Sequence, residues 1–547
     1  MKTYTLLIFF ILSFIGQLSP AQSKQDVDRT IPNLRQQGNA TQLVVDGKPY
    51  LILGGELGNS SASNPAYQRS VWPVVKAMHL NTVLAPVYWE LMEPEEGKFD
   101  FTLVDSLIAG AREHNIRLVL LWFGSWKNSM SCYVPLWVKK DYNRFPRARD
   151  NKHRALEMLT AFSDENLQAD LRAFTALMKH ISEVDREHTV IMMQVENEIG
   201  MIPVASDFSK EANEAFLSPV PQELIDYMEK KKDSLHPAIK ERWANTGYKT
   251  TGNWEDIFGI SLATDEIFMA WHYAVFANRI AEAGKHEHPL PMFVNAALNR
   301  PNVKPGGYPS GGPLPHLMDI WKAGAPSIDF LSPDIYFLNV EDWSQQYYRR
   351  DNLLFIPETM RGPNSAAHVF YVIGQYDALG FSPFSIESTT SPENERLTQA
   401  YELLNQLSPL ILDHQGKNTM AGVLLDRKNA LATLELGDYR FNFSFEPLDR
   451  YAFKGNLSDS AFRTGGIIIA VGPDEFIVAG SGMIVTFESA LQDDMLVGIG
   501  SIDEGRFEEG KWITGLRLNG DQSHQGRHMR LPNNSFSIQR VKLYRYR

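Results

Sequence analysis

Short apolar runs alternate with segments of helical periodicity along the first 410 residues. The runs are rich in β-branched and aromatic residues and lack the polar alternation of a half-exposed sheet, which is typical of buried parallel strands. Eight predicted strands follow from them, at residues 50–55, 82–88, 117–121, 190–195, 291–294, 328–335, 353–356 and 381–386. Eight such strands with helices between them predict an α/β fold, a closed (β/α)8 TIM barrel.

The clearest helical period lies at residues 166–184, where apolar positions recur at steps of three and four. Ser163 and Asp164 precede this helix and are suitable N-terminal caps. Residues 206–253 are charged, only partly periodic and longer than a barrel connection requires. We therefore expect an insertion there that covers the active face of the barrel.

Beyond residue 410 the pattern changes to alternation of apolar and polar positions, most clearly at residues 433–445. Two further apolar runs at residues 465–487 are separated by Gly-Pro-Asp and Gly-Ser-Gly, which are turn signals. Alternation with frequent turns predicts antiparallel β structure. We therefore predict a barrel domain at residues 41–410 and a smaller antiparallel β-sandwich at residues 411–547.

The N-terminal residues predict export. Lys2 precedes an apolar run at residues 6–15 and a small-residue site at residues 19–21, the pattern of a signal peptide that ends at residue 21. The run is about half the roughly 20 residues of a membrane helix, so we expect no integral membrane association. We expect a periplasmic or extracellular protein, with residues 22–40 as a flexible linker because they are polar and rich in Gln and Asn.

Charge and cysteine content narrow the possible partners. The chain has 65 acidic and 53 basic residues and a formal charge of -12, which disfavours binding to nucleic acid. Cys132 is the only cysteine, so neither an internal disulfide nor a thiolate metal cluster can form. We expect no metal and no cofactor, and a neutral or polar partner. The oligomeric state is left open.

Two glutamates lie where predicted strands end, at the rim where a barrel opens to solvent. Glu198 closes the polar sequence Gln-Val-Glu-Asn-Glu after the fourth strand, and Glu358 follows the seventh. Glycoside hydrolysis needs a proton donor and a second carboxylate that attacks or activates water. We therefore predict that Glu198 and Glu358 are the catalytic pair.

These positions resemble clan A of the glycoside hydrolases, in which an Asn-Glu pair ends the fourth strand and a Glu ends the seventh. The closer resemblance is to glycoside hydrolase family 35, the β-galactosidases, over residues 43–387. The motifs that carry it are Leu80-Asn81-Thr82-Val83, Tyr88-Trp89, Glu93-Pro94, Gly97-Lys98-Phe99-Asp100-Phe101 and Glu196-Asn197-Glu198. The resemblance implies an exo-acting retaining β-galactosidase with Glu198 as acid/base and Glu358 as nucleophile.

The resemblance also implies sugar contacts. Asn197 would donate to the 2-hydroxyl of the sugar, and Glu196 would contact other hydroxyls. By analogy with related barrels, Tyr336 would hydrogen-bond the nucleophile and keep it ionised. Trp89 lies at a predicted strand end, as do Trp122 and Trp126, and an indole face there is suited to stacking on a sugar.

The sequence departs from the common family pattern in two places. The first strand ends in Gly-Gly-Glu-Leu-Gly-Asn rather than in an Ile-His-Tyr motif, so Glu56 and Asn59 are candidate sugar contacts. After the third strand, residues 121–128 replace the usual Arg-Pro-Gly-Pro-Tyr stretch and place Asn128 near a family sugar contact.

Three readings of function remain open. With its β-rich C-terminal part, the chain resembles a divergent branch of family 35. This branch looks like enzymes that remove galactose from plant xyloglucan side chains, so a galactosylated plant glycan is the expected substrate. The alternatives are another retaining β-glycosidase of clan A and a glycan-binding protein without activity.

The glycine-rich residues 306–312 lack the Gly-Lys-Ser/Thr of a phosphate loop, and we interpret them as a flexible rim loop.

Overall fold

The computed structural model describes residues 30–337, 339–446, 462–492 and 494–547. The predicted signal peptide, residues 1–21, lies outside the described residues, as do residues 22–29 of the predicted linker.

A three-stranded antiparallel sheet precedes the barrel, with strands β1 (Asn33–Gln37), β2 (Ala40–Val45) and β3 (Lys48–Tyr50). The prediction of a flexible linker is therefore wrong for residues 33–40. The polar strand β1 pairs along its whole length with the apolar strand β2, and the Gln37 side chain donates to the Leu412 carbonyl at 2.9 Å. A strand that is held by pairing rather than by its own apolar side chains leaves no hydropathy signal.

The predicted barrel is confirmed. The strands of this part of the chain are β4 (Ile52–Glu56), β5 (Thr82–Tyr88), β6 (Arg117–Phe123), β7 (Arg147–Arg149), β8 (Ala155–Leu159), β9 (Val190–Gln194), β10 (Met292–Ala297), β11 (Phe330–Ile335), β12 (Ile356–Thr359) and β13 (Gly380–Pro383). All except β7 and β8, which form a separate hairpin, pair in parallel and close in the order β10-β11-β12-β13-β4-β5-β6-β9. Strand β12 contains Glu358 instead of ending before it.

The helices are α1 (Pro65–Ala77), α2 (Trp89–Met92), α3 (Thr102–Glu113), α4 (Leu136–Lys140), α5 (Asp164–Val184), α6 (Lys210–Leu217), α7 (Gln222–Lys230), α8 (Pro237–Asn245), α9 (Trp254–Phe258), α10 (Leu262–Glu287), α11 (Met318–Gly324), α12 (Val340–Tyr347), α13 (Ser365–Tyr376) and α14 (Arg396–His414). The predicted cap of α5 is present, since the Ser163 side chain accepts from the Asn166 amide. The predicted insertion consists of short helices, α6 to α8. Within the described ranges, no helix combines the length and the apolar character needed to cross a membrane.

The C-terminal strands are β14 (Met420–Leu425), β15 (Leu431–Leu436), β16 (Tyr439–Phe445), β17 (Thr464–Gly472), β18 (Glu475–Gly480), β19 (Met483–Ser489), β20 (Leu496–Glu508), β21 (Lys511–Leu518), β22 (Met529–Leu531) and β23 (Ser537–Tyr546). They form a six-stranded sheet, β14-β17-β18-β23-β20-β21, and a four-stranded sheet, β15-β16-β19-β22. Buried residues of both sheets, among them Phe441 and Phe476, form one apolar core. The predicted β-sandwich is therefore present.

The outer face of the six-stranded sheet packs against the barrel. Ile467 and Ile477 belong to the hydrophobic core of the barrel. Gly465 lies so close to α13 that a Cβ atom there would be 2.4 Å from the Ala367 carbonyl oxygen. Arg463 extends the contact through an ion pair of 2.7 Å with Glu341. The outer face of the six-stranded sheet thus belongs to the barrel core, whereas its inner face forms the separate core of the sandwich. Helix α14 carries the barrel to residue 414 rather than 410.

Candidate active site

Three carboxylates meet at the carboxyl end of the barrel. Glu198 follows β9, Asp334 lies on β11 and Glu358 lies on β12. One carboxylate oxygen from each lies within 4.8 Å of the others. Glu198 is 7% exposed and Glu358 is 6% exposed, so the group lies in a narrow recess. Among the described residues, these three acidic side chains form a group that is close enough to hold a cation.

The segment that carries the predicted acid/base has an unusual backbone. Residues 196–198, which we call the catalytic turn, include two non-glycine residues in the left-handed region, Glu196 at φ 60° and Glu198 at φ 48°. Each such residue costs on the order of 1 to 3 kcal/mol and persists only where surrounding contacts fix it. The catalytic turn is therefore held in place by its neighbours.

The loop after β6 supplies those contacts. We call residues 125–131 the cradle loop. The Trp126 amide donates to Glu196 Oε2 at 2.8 Å. Lys127 Nζ donates to Asn197 Oδ1 at 2.5 Å. The last residue of the turn is bonded by two side chains, with Asn128 Nδ2 donating to Glu198 Oε2 and Ser129 Oγ to the Glu198 carbonyl. Every residue of the catalytic turn thus has a partner in the cradle loop.

A second neighbour fixes the turn from strand β10. The Glu198 amide donates to Asn295 Oδ1 at 2.9 Å, and Asn295 Nδ2 donates to Asp334 Oδ2 at 2.7 Å. Burial, followed by the nearby charges of Glu358 and Glu198, raises the pKa of Asp334 well above its usual range. Asn295 therefore connects the predicted acid/base to a buried carboxyl group whose pKa is raised.

Glu196 does not reach the sugar site, which corrects its predicted role. It is fully buried, and burial together with the charge and hydrogen bond of Asp170 raises its pKa well above the usual range. Asp170 on α5 also accepts from Trp122 Nε1 at 2.8 Å and from the Ser125 amide at 3.1 Å. The hydrogen bond between Glu196 and Asp170 holds the catalytic turn from behind.

The nucleophile candidate Glu358 is held by Tyr336. The Tyr336 hydroxyl donates to Glu358 Oε1, as predicted, and Glu358 Oε2 is also buried. Burial and then the charge of Glu198 raise the pKa of Glu358 to about 7. Lys127, Tyr336 and Glu56 oppose this rise because each favours the ionised form.

Glu56 lies beside the nucleophile, which agrees with its selection as a site candidate. Burial and the charge of Glu358 raise the pKa of Glu56 well above its usual range, so Glu56 acts as a donor to the Glu358 carboxylate. Asn59 follows the same strand, and its buried Oδ1 has no partner. Within the described residues, no hydrogen bond joins Asn59 to the carboxylates.

The tryptophans are core residues, so their predicted role in sugar stacking is wrong. Trp89, Trp122 and Trp126 are each fully buried. Trp89 Nε1 donates to Glu93 at 2.7 Å, and the indole packs against Trp122 with ring centroids 6.3 Å apart. Trp89 begins helix α2, which turns its side chain into the protein. Tyr336, which is 38% exposed, is instead the aromatic residue on the rim beside Glu358.

The rim loop at residues 306–312 is not free, which corrects the prediction of flexibility. Ser310 and Met201 exchange two backbone hydrogen bonds of 2.9 and 2.8 Å. A Cβ atom at Gly312 would lie 2.5 Å from the Ile199 carbonyl oxygen, so only glycine allows this approach. The loop therefore packs directly behind the catalytic turn.

Several site residues were missed from the sequence, namely Lys127, Asp170, Asn295 and Asp334. Asp334 and Asn295 carried a usable signal, because each is a polar residue within an otherwise apolar strand. Lys127 and Asp170 belong to a loop and to a helix, where charged residues are ordinary.

Two family models match the chain. Residues 42–261 match glycosyl hydrolases family 35. Residues 397–530 match a domain of unknown function, DUF5597, which begins in α14 and includes most of the β-sandwich.

The similar proteins are β-galactosidases. That of Xanthomonas manihotis is 30% identical over 167 residues, which cover 29% of this chain and 25% of the relative. Beta-galactosidase 14 of Arabidopsis thaliana is 32% identical over 101 residues, which cover 18% of this chain and 11% of the relative. The chain thus spans a quarter or less of these relatives.

The crystal structure of the cold-adapted β-galactosidase from Rahnella sp. R3 aligns with a TM-score of 0.46 and 16% identity, covering 66% of this chain and 57% of the other. By sequence, residues 42–261 of this chain are thus similar to glycosyl hydrolases family 35, and residues 397–530 are similar to DUF5597.

Proposed function

We propose that this protein is an exo-acting retaining β-galactosidase in which Glu198 is the acid/base and Glu358 is the nucleophile. The observation that carries the proposal is the close approach of their carboxylate oxygens, within 4.8 Å. Double displacement needs carboxyl groups about 5 to 5.5 Å apart, whereas inversion needs about 6.5 to 9.5 Å to admit a water molecule. The short separation therefore supports retention.

The first step forms a covalent intermediate. Glu358 attacks the anomeric carbon through Oε2 while Tyr336 holds Oε1. As the glycosidic bond breaks, Glu198 transfers its proton to the leaving oxygen, so the aglycone departs as a neutral alcohol. The products of this step are a galactosyl ester of Glu358 and an ionised Glu198.

The second step releases the sugar. Ionised Glu198 takes a proton from water, whose oxygen attacks the anomeric carbon and breaks the ester bond to Glu358. Galactose leaves with its β configuration, Glu358 regains its charge and Glu198 regains its proton. Asn128 donates to Glu198 Oε2 and thereby orients the acid/base carboxyl group.

Sugar release from a panel of 4-nitrophenyl β-glycosides tests the activity. The β-galactoside should be cleaved best, and Glu198→Gln and Glu358→Gln should both fail, whereas Glu282→Gln on the exposed face of α10 should match the wild type. If a different β-glycoside were cleaved best, the proposed galactose specificity would be wrong and the protein would be another clan A β-glycosidase. Binding of glycans with no release from any glycoside would make the chain a glycan-binding protein.

The stereochemistry of the first product and chemical rescue test the two roles. NMR during hydrolysis should show β-galactose before mutarotation. Azide should restore activity to Glu198→Ala on a 4-nitrophenyl substrate and yield β-galactosyl azide, because the leaving group needs little acid assistance. Formation of α-galactose first would refute retention, and rescue with inverted product from Glu198→Ala would reverse the assigned roles.

For the natural substrate, we propose the terminal β-galactosyl residues of a plant-type oligosaccharide or polysaccharide, such as xyloglucan side chains. The support is the sequence resemblance of the divergent motifs around Glu56 and Asn128. Digestion of galactosylated xyloglucan should release free galactose and leave the backbone length unchanged. Shortened backbone fragments would contradict exo action.

We also propose that the protein is exported. Lys2, the apolar run at residues 6–15 and the small residues at 19–21 support a cleaved signal peptide. N-terminal sequencing of the protein recovered outside the cytoplasm should begin near residue 22. An intact N-terminus on cytoplasmic protein would contradict export.

A further inference from the structure

Lys127 is a buried cation in the centre of the acidic site. It is 3% exposed, and its Nζ donates to Asn197 Oδ1 at 2.5 Å and lies 4.6 Å from the centre of the Phe123 ring. Within the described residues, no carboxylate forms an ion pair with it at 4.0 Å or less. Burying an ammonium group without such a pair is costly. Its place in the site therefore needs a reason beyond simple neutralisation.

The charge of Lys127 acts electrostatically on the nearby carboxyl groups, although it forms no ion pair with them. It favours the ionised forms of Glu56, Asp334 and Glu358 together. A charged ammonium has three donors and no acceptor.

That property fixes the orientation of the Asn197 amide. Only the oxygen of an amide can accept from an ammonium group, so the contact with Lys127 places Oδ1 toward the lysine and Nδ2 away from it. Asn197 Nδ2 is buried and has no hydrogen-bond partner. An unpaired buried donor in an active site is a group that a substrate can satisfy.

We infer that Lys127 is a positioning residue, which holds the Asn197 amide so that Nδ2 donates to the 2-hydroxyl of the bound galactosyl residue. The inference rests on the proposed function and assigns Lys127 a part in it. Without the ammonium group, the amide is free to turn about its last bond and present its oxygen instead. The donor that strengthens its bond as the sugar ring flattens would then be lost from the transition state.

Two substrates separate this role from a structural one. We would measure kcat/KM for 4-nitrophenyl β-galactoside and its 2-deoxy analogue with the wild type, Lys127→Met, Asn197→Ala and the double variant. Lys127→Met keeps the chain length and removes the charge and the donors. The intrinsic reactivity of each substrate is the same for every variant, so it cancels when the ratios of the two kcat/KM values are compared.

Lys127→Met should lower kcat/KM for the galactoside by about 100-fold, the scale of losing one preorganised donor, and much less for the 2-deoxy analogue. The preference for the hydroxylated substrate should fall as far as in Asn197→Ala, and the double variant should lose no more of it. Lys127→Arg, which keeps a charged donor, should retain more of the preference than Lys127→Met. Thermal unfolding of each variant shows that it is folded.

Equal losses on both substrates in Lys127→Met would overturn the inference, since they would indicate a general structural or electrostatic role. A lower preference in the double variant than in Asn197→Ala would also overturn it, because Lys127 would then contact the substrate itself. If the wild type cleaved no β-galactoside, the proposed function would fail as well. An active wild type with an unchanged preference in Lys127→Met would refute this inference alone.

Discussion

Replacing Glu358 with glutamine should abolish turnover and, at alkaline pH, stabilise the fold. Burial and the charge of Glu198 raise the pKa of Glu358 from 4.5 to about 7. A carboxyl group with a raised pKa in the folded state contributes its full stability below pH 4.5, and that contribution is lost as pH rises through 7. Glutamine is never charged and still accepts from Tyr336, so the variant escapes this loss.

The size of the effect follows from the shift. At roughly 1.4 kcal/mol for each pKa unit, the rise from 4.5 to about 7 means that ionised Glu358 lowers the free energy of unfolding by about 3 kcal/mol at pH 8.5. At pH 5 the loss is less than about 1 kcal/mol. The larger figure is an upper bound, because a protonated Glu198 would remove part of the shift. For a domain of this size, the expected change is a rise of about 2 to 6 °C in the melting temperature at pH 8.5.

Differential scanning calorimetry at pH 5 and pH 8.5 measures the difference between Glu358→Gln and the wild type. The gain in melting temperature should be clear at pH 8.5 and small at pH 5. Glu282→Gln, at an exposed position, should show no gain at either pH. The same gain at both pH values, or a loss at pH 8.5, would refute the argument that the charge of Glu358 opposes folding.

Three further substitutions test the packing behind the site. Gly124→Ala would place a Cβ atom 2.5 Å from Trp122 Nε1 and 2.8 Å from Glu196 Oε1; we expect a loss of about 1 to 3 kcal/mol in urea unfolding together with a lower kcat. Trp89→Phe should lower the melting temperature and leave KM unchanged, and a raised KM with unchanged melting would instead support sugar stacking. Asp170→Asn removes the charged acceptor for the Glu196 proton, so kcat should fall about tenfold or more while KM changes little, as steady-state kinetics would show.

The barrel and the meeting of Glu198 with Glu358 could be predicted because their signals are local. Barrel strands are covered on both faces, so β5 and β6 read as unbroken apolar runs. A carboxylate that follows such a run is expected at the rim of the barrel, and this expectation identified Glu198 as a site candidate. Glu358 was found in the same way even though β12 extends past it.

The direction of individual side chains could not be predicted. The positive φ at Glu196 rotates its carboxyl group toward Asp170, although a glutamate gives no sequence sign of a left-handed backbone. Trp89 follows a strand as a rim residue would, yet it begins a helix that buries it. Contacts between distant segments, such as the one between Lys127 and Asn197, depend on the barrel closing in three dimensions.

The arrangement of the cradle loop explains why the chain departs from the usual family pattern where it does. The loop after β6 contacts each residue of the catalytic turn, through one backbone amide and through the side chains of Lys127, Asn128 and Ser129. A change in this loop therefore acts on the Glu-Asn-Glu sequence, even if that sequence itself is unchanged. Glu198 and Asn197, the proposed acid/base and the proposed 2-hydroxyl donor, thus belong to a unit of two loops, and exchanging the cradle loop alone should alter both. The divergence at residues 121–128 is accordingly a change in how Asn197 and Glu198 are held, which is compatible with the same two catalytic carboxylates.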